Sequence, residues 1–327
     1  MLTFSLLESN ITHQQDLISI IMDYTTKCNK DNISRTDAYL KFFKMYPEIR
    51  WAFLASMVSR NAGWNMCELE GTVLPKTLSP HFRKELFFAY EATNFLIFQD
   101  AFPQMLLYHY STKTNKPLFH LNKYFSTSYF MCKEWNSFWK ERNEDRLMTA
   151  FIINEQNVIQ KPILEGEFFQ NKVFRSNVFL LQDLLHFSTV LFPTVRGELY
   201  GASVHHFRKV DHRIHLGKVL AKILFANELF PSFYHFAINT EHTGSREDYE
   251  RYFPYRKQRE TPYLRMVYPL IDLSNIEKGD WERLRKVKKS WTKKVHKPMN
   301  VNVTRWYENK QKQFRILSSL CNLKHFK

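Results

Sequence analysis

The sequence predicts an all-α protein, a large multi-helix globular domain with a basic C-terminal helical region. Apolar residues recur at helical spacing along much of the chain, as in Leu17, Ile20, Ile21 and Tyr24. The 327 residues include only 8 glycines, too few for the tight turns of a hairpin-rich β protein. With 44% hydrophobic and 16% aromatic residues, the chain can bury a sizeable core. Strands are expected in minor amounts only.

The predicted helices follow one another with short breaks. An apolar helix is expected over residues 51–58, with Gly63 marking a helix end or turn soon after it. A long helical region follows over 79–108, interrupted near Pro103 because proline lacks an N–H. Further helical patterns cover 118–160, 173–192, 219–229 and 245–252.

Positive charge is concentrated toward the end of the chain, which has a formal net charge of +15. Residues 256–327 contain 19 Lys and Arg against 6 Asp and Glu, whereas residues 1–255 contain 28 against 26. We therefore divide the chain into a helical body, 1–255, and a basic region, 256–327, packed on that body. The asymmetry favours an anionic partner.

The centre of the basic region, residues 281–297, is predicted as an amphipathic helix with Trp281 and Trp291 on its apolar face. Three uses are open: packing on the core, lying on an anionic membrane surface, or placing cations along nucleic-acid phosphates. The predicted anion-binding side chains of this segment are Lys286, Lys289, Lys293 and Lys294.

A first candidate site lies in residues 59–66, where Arg60, Asn61 and Asn65 surround Gly63. These side chains can donate hydrogen bonds to an anion or a sugar. Alternatively, Arg60 and Asn61 satisfy free backbone carbonyls at a helix C-terminus.

A second candidate site lies in residues 242–249. A glycine loop entering a helix can bind phosphate through backbone N–H groups, with Ser245 and Arg246 as further anion contacts. His242 has the chemistry of a general acid or base. Alternatively, Ser245 and Asp248 form a capping box and have no further role. If segments 59–66 and 242–249 meet in one pocket, an enzyme becomes the better interpretation.

Two other polar groups are weaker candidates. The histidines His205, His206, His212 and His215 have basic neighbours, which disfavour a metal and leave a phosphate-contacting face or ordinary surface residues. Polar residues inside apolar helices predict a buried structural network, or paired carboxylates for acid–base or metal chemistry. The Glu-x-x-His pattern of helical metal sites is absent there. These residues are Glu91, Asn94, Gln99, Asp100, Asn154, Glu155 and Gln156.

The sequence favours a cytoplasmic protein, free or at the membrane periphery. No apolar run is long enough to span a membrane, and the N-terminus lacks the basic start of a signal peptide. The four cysteines form no CxxC pair, which is typical of free thiols. No pattern indicates a cofactor, and no metal site is predicted.

Four stretches together resemble a known family: SRNAGWNM at 59–66, FQDAFPQ at 98–104, INEQ at 153–156 and HTGSREDY at 242–249. They are similar to the YppC-like proteins of Bacillus and related bacteria, a family of unknown function, over roughly residues 35–255. The resemblance implies a bacterial protein but no activity, cofactor or functional residue.

Two function classes follow. The first is a binding protein that uses its basic face on nucleic acid or an anionic membrane through residues 281–297. The alternative is a hydrolase or transferase acting on a phosphate-bearing substrate. Its catalytic candidates are His242, Arg246, Arg60, Asn61 and Asn65.

Overall fold

A computed structural model describes residues 14–166, 189–203, 209–254, 258–276, 278 and 281–324, with side chains given as far as residue 316. This part of the chain is predominantly helical with one two-stranded sheet, which confirms the predicted class. The helices are α1 Gln14–Cys28, α2 Asn32–Met45, α3 Arg50–Leu69, α4 Pro80–Thr114, α5 Tyr129–Glu141, α6 Glu144–Val158, α7 Val210–Leu224, α8 Phe230–Asn239, α9 Glu247–Glu250, α10 Leu264–Val267, α11 Lys289–Thr292 and α12 Thr304–Lys324. The strands are β1 Thr189–Pro193 and β2 Leu199–Ser203.

Local sequence sets the starts of several helices. Ser79, Ser128 and Asn143 precede α4, α5 and α6, and each side chain accepts the backbone N–H three residues on. Asp31 does the same before α2, accepting from the Ser34 N–H at 2.7 Å. Because these caps satisfy N–H groups without a helical partner, the first turns are fixed by neighbouring residues.

The predicted helix end near Gly63 is wrong, because α3 continues through this residue to Leu69. A Cβ atom at position 63 would lie 2.5 Å from Asn32 Oδ1 and 2.8 Å from His242 Nε2. The glycine is therefore required by a close approach of side chains to the helix surface, and its helical conformation is ordinary.

The predicted interruption of α4 at Pro103 is also wrong. The missing N–H of an interior proline costs about 3 kcal/mol. All residues from 100 to 111 are buried, and α4 contacts α1, α2, α3 and α6. We attribute the unbroken helix to this packing, which offsets the lost hydrogen bond.

The aromatic core lies between α3, α4, α5 and α6. The Trp51 ring stacks on Phe151 with 4.5 Å between centroids, and Trp135 meets Phe151 edge-on at 5.5 Å. Each indole N–H has an acceptor, Glu155 for Trp51 and Gln104 for Trp135. The helices are therefore joined by apolar burial and by side-chain hydrogen bonds.

Residues 189–193 form strand β1, so the predicted helix over 173–192 is wrong at its end; residues 173–188 lie outside the described part of the chain. β1 pairs antiparallel with β2, with Leu191 opposite Gly201. The Asn61 side chain on α3 bonds both the N–H and the carbonyl of Leu191, at 2.7 Å each. These long-range bonds favour an extended backbone over a helix.

The end of the chain packs on the body. Gly201 N–H donates to Val301 O at 2.9 Å, and Val303 N–H donates to Leu199 O at 2.8 Å, which places residues 301–303 alongside β2. Tyr307 on α12 donates to the Glu250 carboxylate at 2.6 Å. That residues 256–327 do not fold independently of residues 1–255 stays a prediction.

Residues 281–297, called the strap from here on, do not form the predicted amphipathic helix. They contain one 3-10 turn, Trp281–Arg283, and the single turn α11. Trp281 is 5% and Trp291 2% exposed, and their indole N–H groups donate to Asn154 and Asp211. These tertiary bonds hold the strap on the body. Its tryptophans pack on the core, whereas the apolar Leu284 between them is 63% exposed.

Candidate functional site

The two predicted polar segments, 59–66 on α3 and 242–249, meet in the interior. The Trp64 indole N–H donates to Asp248 Oδ2 at 3.0 Å. His242 Nδ1 lies 3.2 Å from the same oxygen. A buried carboxylate therefore joins the segments across 184 positions of sequence.

Both ring nitrogens of His242 face oxygen atoms. Asn32 Nδ2 donates to the Ser59 carbonyl at 2.8 Å, so Asn32 turns its Oδ1 toward His242 Nε2, 2.7 Å away. Burial lowers the pKa of His242, and the hydrogen bond with Asp248 opposes that shift. Since Asn32 and Asp248 occupy both nitrogens, this geometry gives no support for proton transfer to a substrate by His242. That role stays a prediction.

The predicted capping box of Ser245 and Asp248 is wrong. Asp248 instead accepts from the backbone N–H of Thr243 at 3.1 Å and from its hydroxyl at 2.5 Å. The Ser245 hydroxyl donates to the Thr261 carbonyl at 2.9 Å. The Ser245 hydroxyl also accepts from the Glu247 N–H at 3.2 Å, but the Asp248 carboxylate faces Thr243, Trp64 and His242. Only the four residues of α9 are helical, so the predicted helix does not reach Tyr252.

Arg246 lies in a buried acidic cluster. Its guanidinium is 2.8 Å from Glu68, 2.9 Å from Glu260 and 3.7 Å from Glu250; we call these four residues the Arg246 cluster. Burial by itself would lower the pKa of Arg246, but the carboxylates outweigh it and hold the pKa well above its usual value. With its charge neutralised and Ser245 fully buried, this loop gives no support for binding an external phosphate.

Arg60 and Asn61 satisfy backbone carbonyls, but not at a helix C-terminus as the alternative interpretation predicts, because both lie inside α3, where Asn61 also donates to Met57 O at 2.9 Å. Arg60 donates to Ala237 O at 2.9 Å and Thr240 O at 3.0 Å, at the end of α8. Asn61 bonds Leu191 in β1, and Asn65 donates weakly to the Tyr90 hydroxyl at 3.5 Å.

The five predicted catalytic residues are divided between two cavities. Arg60 and His242 line a cavity of about 650 Å³. Asn61, Asn65 and Arg246 line a separate space of about 40 Å³, large enough only for water. The meeting of the two segments therefore does not bring all five side chains around one substrate-sized volume.

Lys293 and Lys294 line a third cavity, a groove of about 670 Å³ between the strap, α6 and α7 that we call the lysine groove. Its other cations are Arg50, Arg146, Lys218 and Lys222, and its carboxylates are Glu134 and Asp145. Buried Lys218 donates to the backbone carbonyls of Trp291 and Lys293, at 2.8 and 2.9 Å. These bonds fix the strap where it carries the two lysines over the groove.

The body neutralises part of the basic region. Arg265, Lys278, Arg285, Lys288 and Lys297 each pair with a carboxylate of residues 1–255. The four lysines predicted to bind anions are not neutralised in this way. Within the described residues they are exposed and form no ion pair: Lys286, Lys289, Lys293 and Lys294.

The polar residues inside the helices form a network centred on Asp100. This carboxylate accepts from Lys278 at 2.9 Å, from Asn154 at 2.6 Å and from Gln104 at 2.9 Å. Asn154 in turn accepts from Ser128 and from Trp281 of the strap. The arrangement matches the structural interpretation, because its members satisfy one another. Four other predicted members bond elsewhere: Glu91 pairs with Arg35, Glu155 accepts from Trp51, Asn94 bonds its own helix and Gln156 accepts from Arg213. The remaining one, Gln99, has a buried Oε1 without a hydrogen-bond partner among the described residues.

The histidine group gives no metal site in the described residues, where no three metal-ligating side chains cluster. His212 is half-buried and His215 exposed on α7, and the neighbouring Asp211 is bound by Lys288 and Trp291. His205 and His206 lie outside the described residues.

Sequence reasoning missed Asn32, Lys218 and Lys222. Asn32 meets His242 from 210 positions away, and no local pattern indicates that contact. The sequence did indicate that Lys218 is buried, because it follows Ile214 by one helical turn and so lies on the buried face of α7. A lysine on an apolar face needs acceptors, which the strap supplies.

The chain is similar to a known protein family and to a relative from Bacillus subtilis, and both matches cover most of its length. A family model described as a protein of unknown function (DUF2515) matches residues 27–312, and the chain belongs to this family. The uncharacterized protein YppC of Bacillus subtilis (strain 168) is 47% identical over 312 residues, covering 94% of this chain and 97% of the relative. These matches confirm the resemblance seen in the sequence. No solved structure gives a significant match.

Proposed function

We propose that this protein binds nucleic acid through the phosphate backbone, using the lysine groove and the exposed lysines of the strap. The supporting observation is that Lys293 and Lys294 lie at the groove without ion pairs of their own among the described residues, whereas the groove cations Arg50, Arg146 and Lys222 are paired with carboxylates. Phosphates attract such side chains and release bound counterions. Lys218 holds the strap backbone, so little ordering is needed on binding.

Nucleic acid is favoured over a membrane surface because the apolar side of the strap is occupied. A helix that lies on a membrane inserts its aromatic residues, and Trp281 and Trp291 are buried against the body. In addition, no helix in the described ranges combines the length and apolar composition needed to cross a membrane. Free thiols at Cys28, Cys67 and Cys132 are consistent with the proposed cytoplasmic location.

The hydrolase or transferase alternative has weaker support. Arg60 and His242 share a cavity, but the other three candidates line a different space, and His242 has both nitrogens bonded. Assembling an active site from these five residues would require the described side chains to rearrange, whereas binding nucleic acid at the strap would not.

The test is a titration of labelled single-stranded RNA and duplex DNA of about 20 nucleotides, between about 50 and 200 mM salt. The variant K293Q/K294Q should bind about tenfold more weakly and lower the salt slope by about 1.5, because two phosphate contacts are lost. The control K113Q/K116Q removes the same charge at exposed sites outside the groove and should change affinity less than about twofold.

Two results would contradict the proposal. One is the absence of salt-sensitive binding to either nucleic acid. The other is equal weakening by both double variants, which would indicate attraction by net charge alone. Binding to anionic vesicles without binding to nucleic acid would support the membrane interpretation instead.

A further inference from the structure

A second cavity, separate from the lysine groove, lies between α1, α2 and residues 237–242. Its volume is about 650 Å³, within the range of small-molecule sites. Five cationic side chains line it against two carboxylates, Asp37 and Glu241. The cations are Lys27, Lys41, Lys44, Arg60 and Arg265. We call it the Arg60 cavity.

Arg60 is the most deeply placed of these cations, with 3% of its surface exposed. Its guanidinium donates to two backbone carbonyls and lies 5.8 Å from the centroid of the Phe236 ring. Among the described residues no carboxylate forms an ion pair with it, and its Nε–H has no hydrogen-bond partner. A buried cation without a counter-ion is unfavourable, so an anion in this cavity would be strongly attracted.

The surrounding cations are only partly neutralised. Lys41 pairs with Asp37, and Arg265 pairs with Asp31 outside the lining. Lys27 and Lys44 are exposed in the last turns of α1 and α2 and have no ion pair in the described structure. The cavity thus combines a deep guanidinium with two available ammonium groups near its opening.

We propose that the Arg60 cavity binds a phosphate-bearing small molecule, whose phosphate contacts Arg60 and whose remaining charge lies near Lys27 and Lys44. The excess of cations over carboxylates favours a dianionic phosphate over a single carboxylate. His242 lines the cavity together with Arg60 and is held in place by its hydrogen bond with Asn32 beside Gly63. The ligand is a small molecule held in a cavity, so this site is independent of the proposed nucleic-acid surface.

The experiment is calorimetric titration of the full chain with inorganic phosphate and pyrophosphate, at low ionic strength, with acetate as the single-carboxylate probe. Saturable binding of the phosphates is expected. R60M should weaken it at least about tenfold, because the charge-assisted bonds of the buried guanidinium are lost. R305M, which removes an exposed arginine of α12, is the matched control and should leave the affinity within about twofold.

Two further variants keep the result decisive. K27Q/K44Q changes only exposed side chains, and it should weaken phosphate binding about threefold to tenfold even if R60M folds poorly. K293Q/K294Q should leave it unchanged, which separates this site from the lysine groove. The proposal is overturned if neither phosphate saturates, if acetate binds more tightly than both, or if K27Q/K44Q binds like the unmodified chain.

Discussion

The surroundings of two buried arginines, Arg60 and Arg246, differ sharply although their burial is nearly the same. Arg60 is 3% and Arg246 4% exposed, and each comes from one of the two polar segments that meet in the interior. Three carboxylates lie within 4 Å of Arg246. In the described part of the chain, the Arg60 guanidinium contacts two backbone carbonyls and an aromatic ring and has no carboxylate within 4 Å. Surroundings, more than burial, thus distinguish a structural cation from one suited to binding.

The pKa values follow the same contrast. Burial lowers the pKa of Arg60 to about 10, because distant Asp248 and Asp37 compensate only weakly. The carboxylates around Arg246 reverse that effect. The charge of Arg246 thus stabilises the folded state. The charge of Arg60 destabilises it, and a bound anion would reduce that destabilisation.

The largest expected effect is at Arg246. Replacing it with Met removes the buried cation that Glu68, Glu250 and Glu260 share, while Glu260 keeps its ion pair with Arg315. The free energy of unfolding should fall by about 3–5 kcal/mol. Urea unfolding at neutral pH measures this. R305M should change stability by less than about 0.5 kcal/mol. A loss below about 1 kcal/mol in R246M would remove the structural role given to the Arg246 cluster.

Glu155 extends the comparison to a carboxylate whose burial is only partly compensated by a nearby cation, Arg213. It accepts from Trp51 and Gln156, and burial raises its pKa to about 7. Since the folded-state pKa lies above the unfolded value of about 4.5, stability decreases as pH rises from about 4.5 to 7. E155Q removes this penalty and should be more stable than the unmodified chain by about 2 kcal/mol at pH 8, with little difference near pH 4.5.

Unfolding of E155Q at both pH values checks the sign. D23N, which replaces an exposed carboxylate of α1, serves as control and should show no such pH-dependent gain in stability. If E155Q is less stable at alkaline pH, the buried carboxylate has a counter-charge that outweighs its desolvation.

The smallest effect is expected at Arg60. R60M loses two hydrogen bonds to carbonyls but also removes a desolvated charge, so the free energy of unfolding should fall by only about 1 kcal/mol. Differential scanning calorimetry of R60M beside R246M makes the comparison directly. A loss as large as that of R246M would show that Arg60 is a structural residue, and the contrast between the two sites would fail.

Part of this architecture could be predicted because its signals are local. The caps at Ser79, Ser128 and Asn143 act within one helical turn, and apolar spacing identifies the helices that they start. The buried network around Asp100 was also foreseeable, since polar residues on apolar helix faces must find partners.

The candidate sites were less predictable because their partners are distant in sequence. Gly63 has the spacing of a helix end, yet it lies within α3 beneath the Asn32–His242 hydrogen bond. Ser245 and Asp248 have the spacing of a capping box, yet Ser245 donates to Thr261 and Asp248 accepts from Trp64, 184 positions away. The strap has a helical pattern, but hydrogen bonds from its two tryptophans and from Lys218 hold it in a mostly irregular conformation.

By itself, the sequence determined the helical class, the starts of several helices, the surplus of positive charge near the C-terminus and the family. These depend on interactions within a few residues or on composition. Only the tertiary structure decided which cations are neutralised, which polar segments share a cavity, and that Lys293 and Lys294 lie over a groove. The physical reason is that the free energy of a buried charge depends on the groups a few ångströms away, and these come from distant parts of the chain.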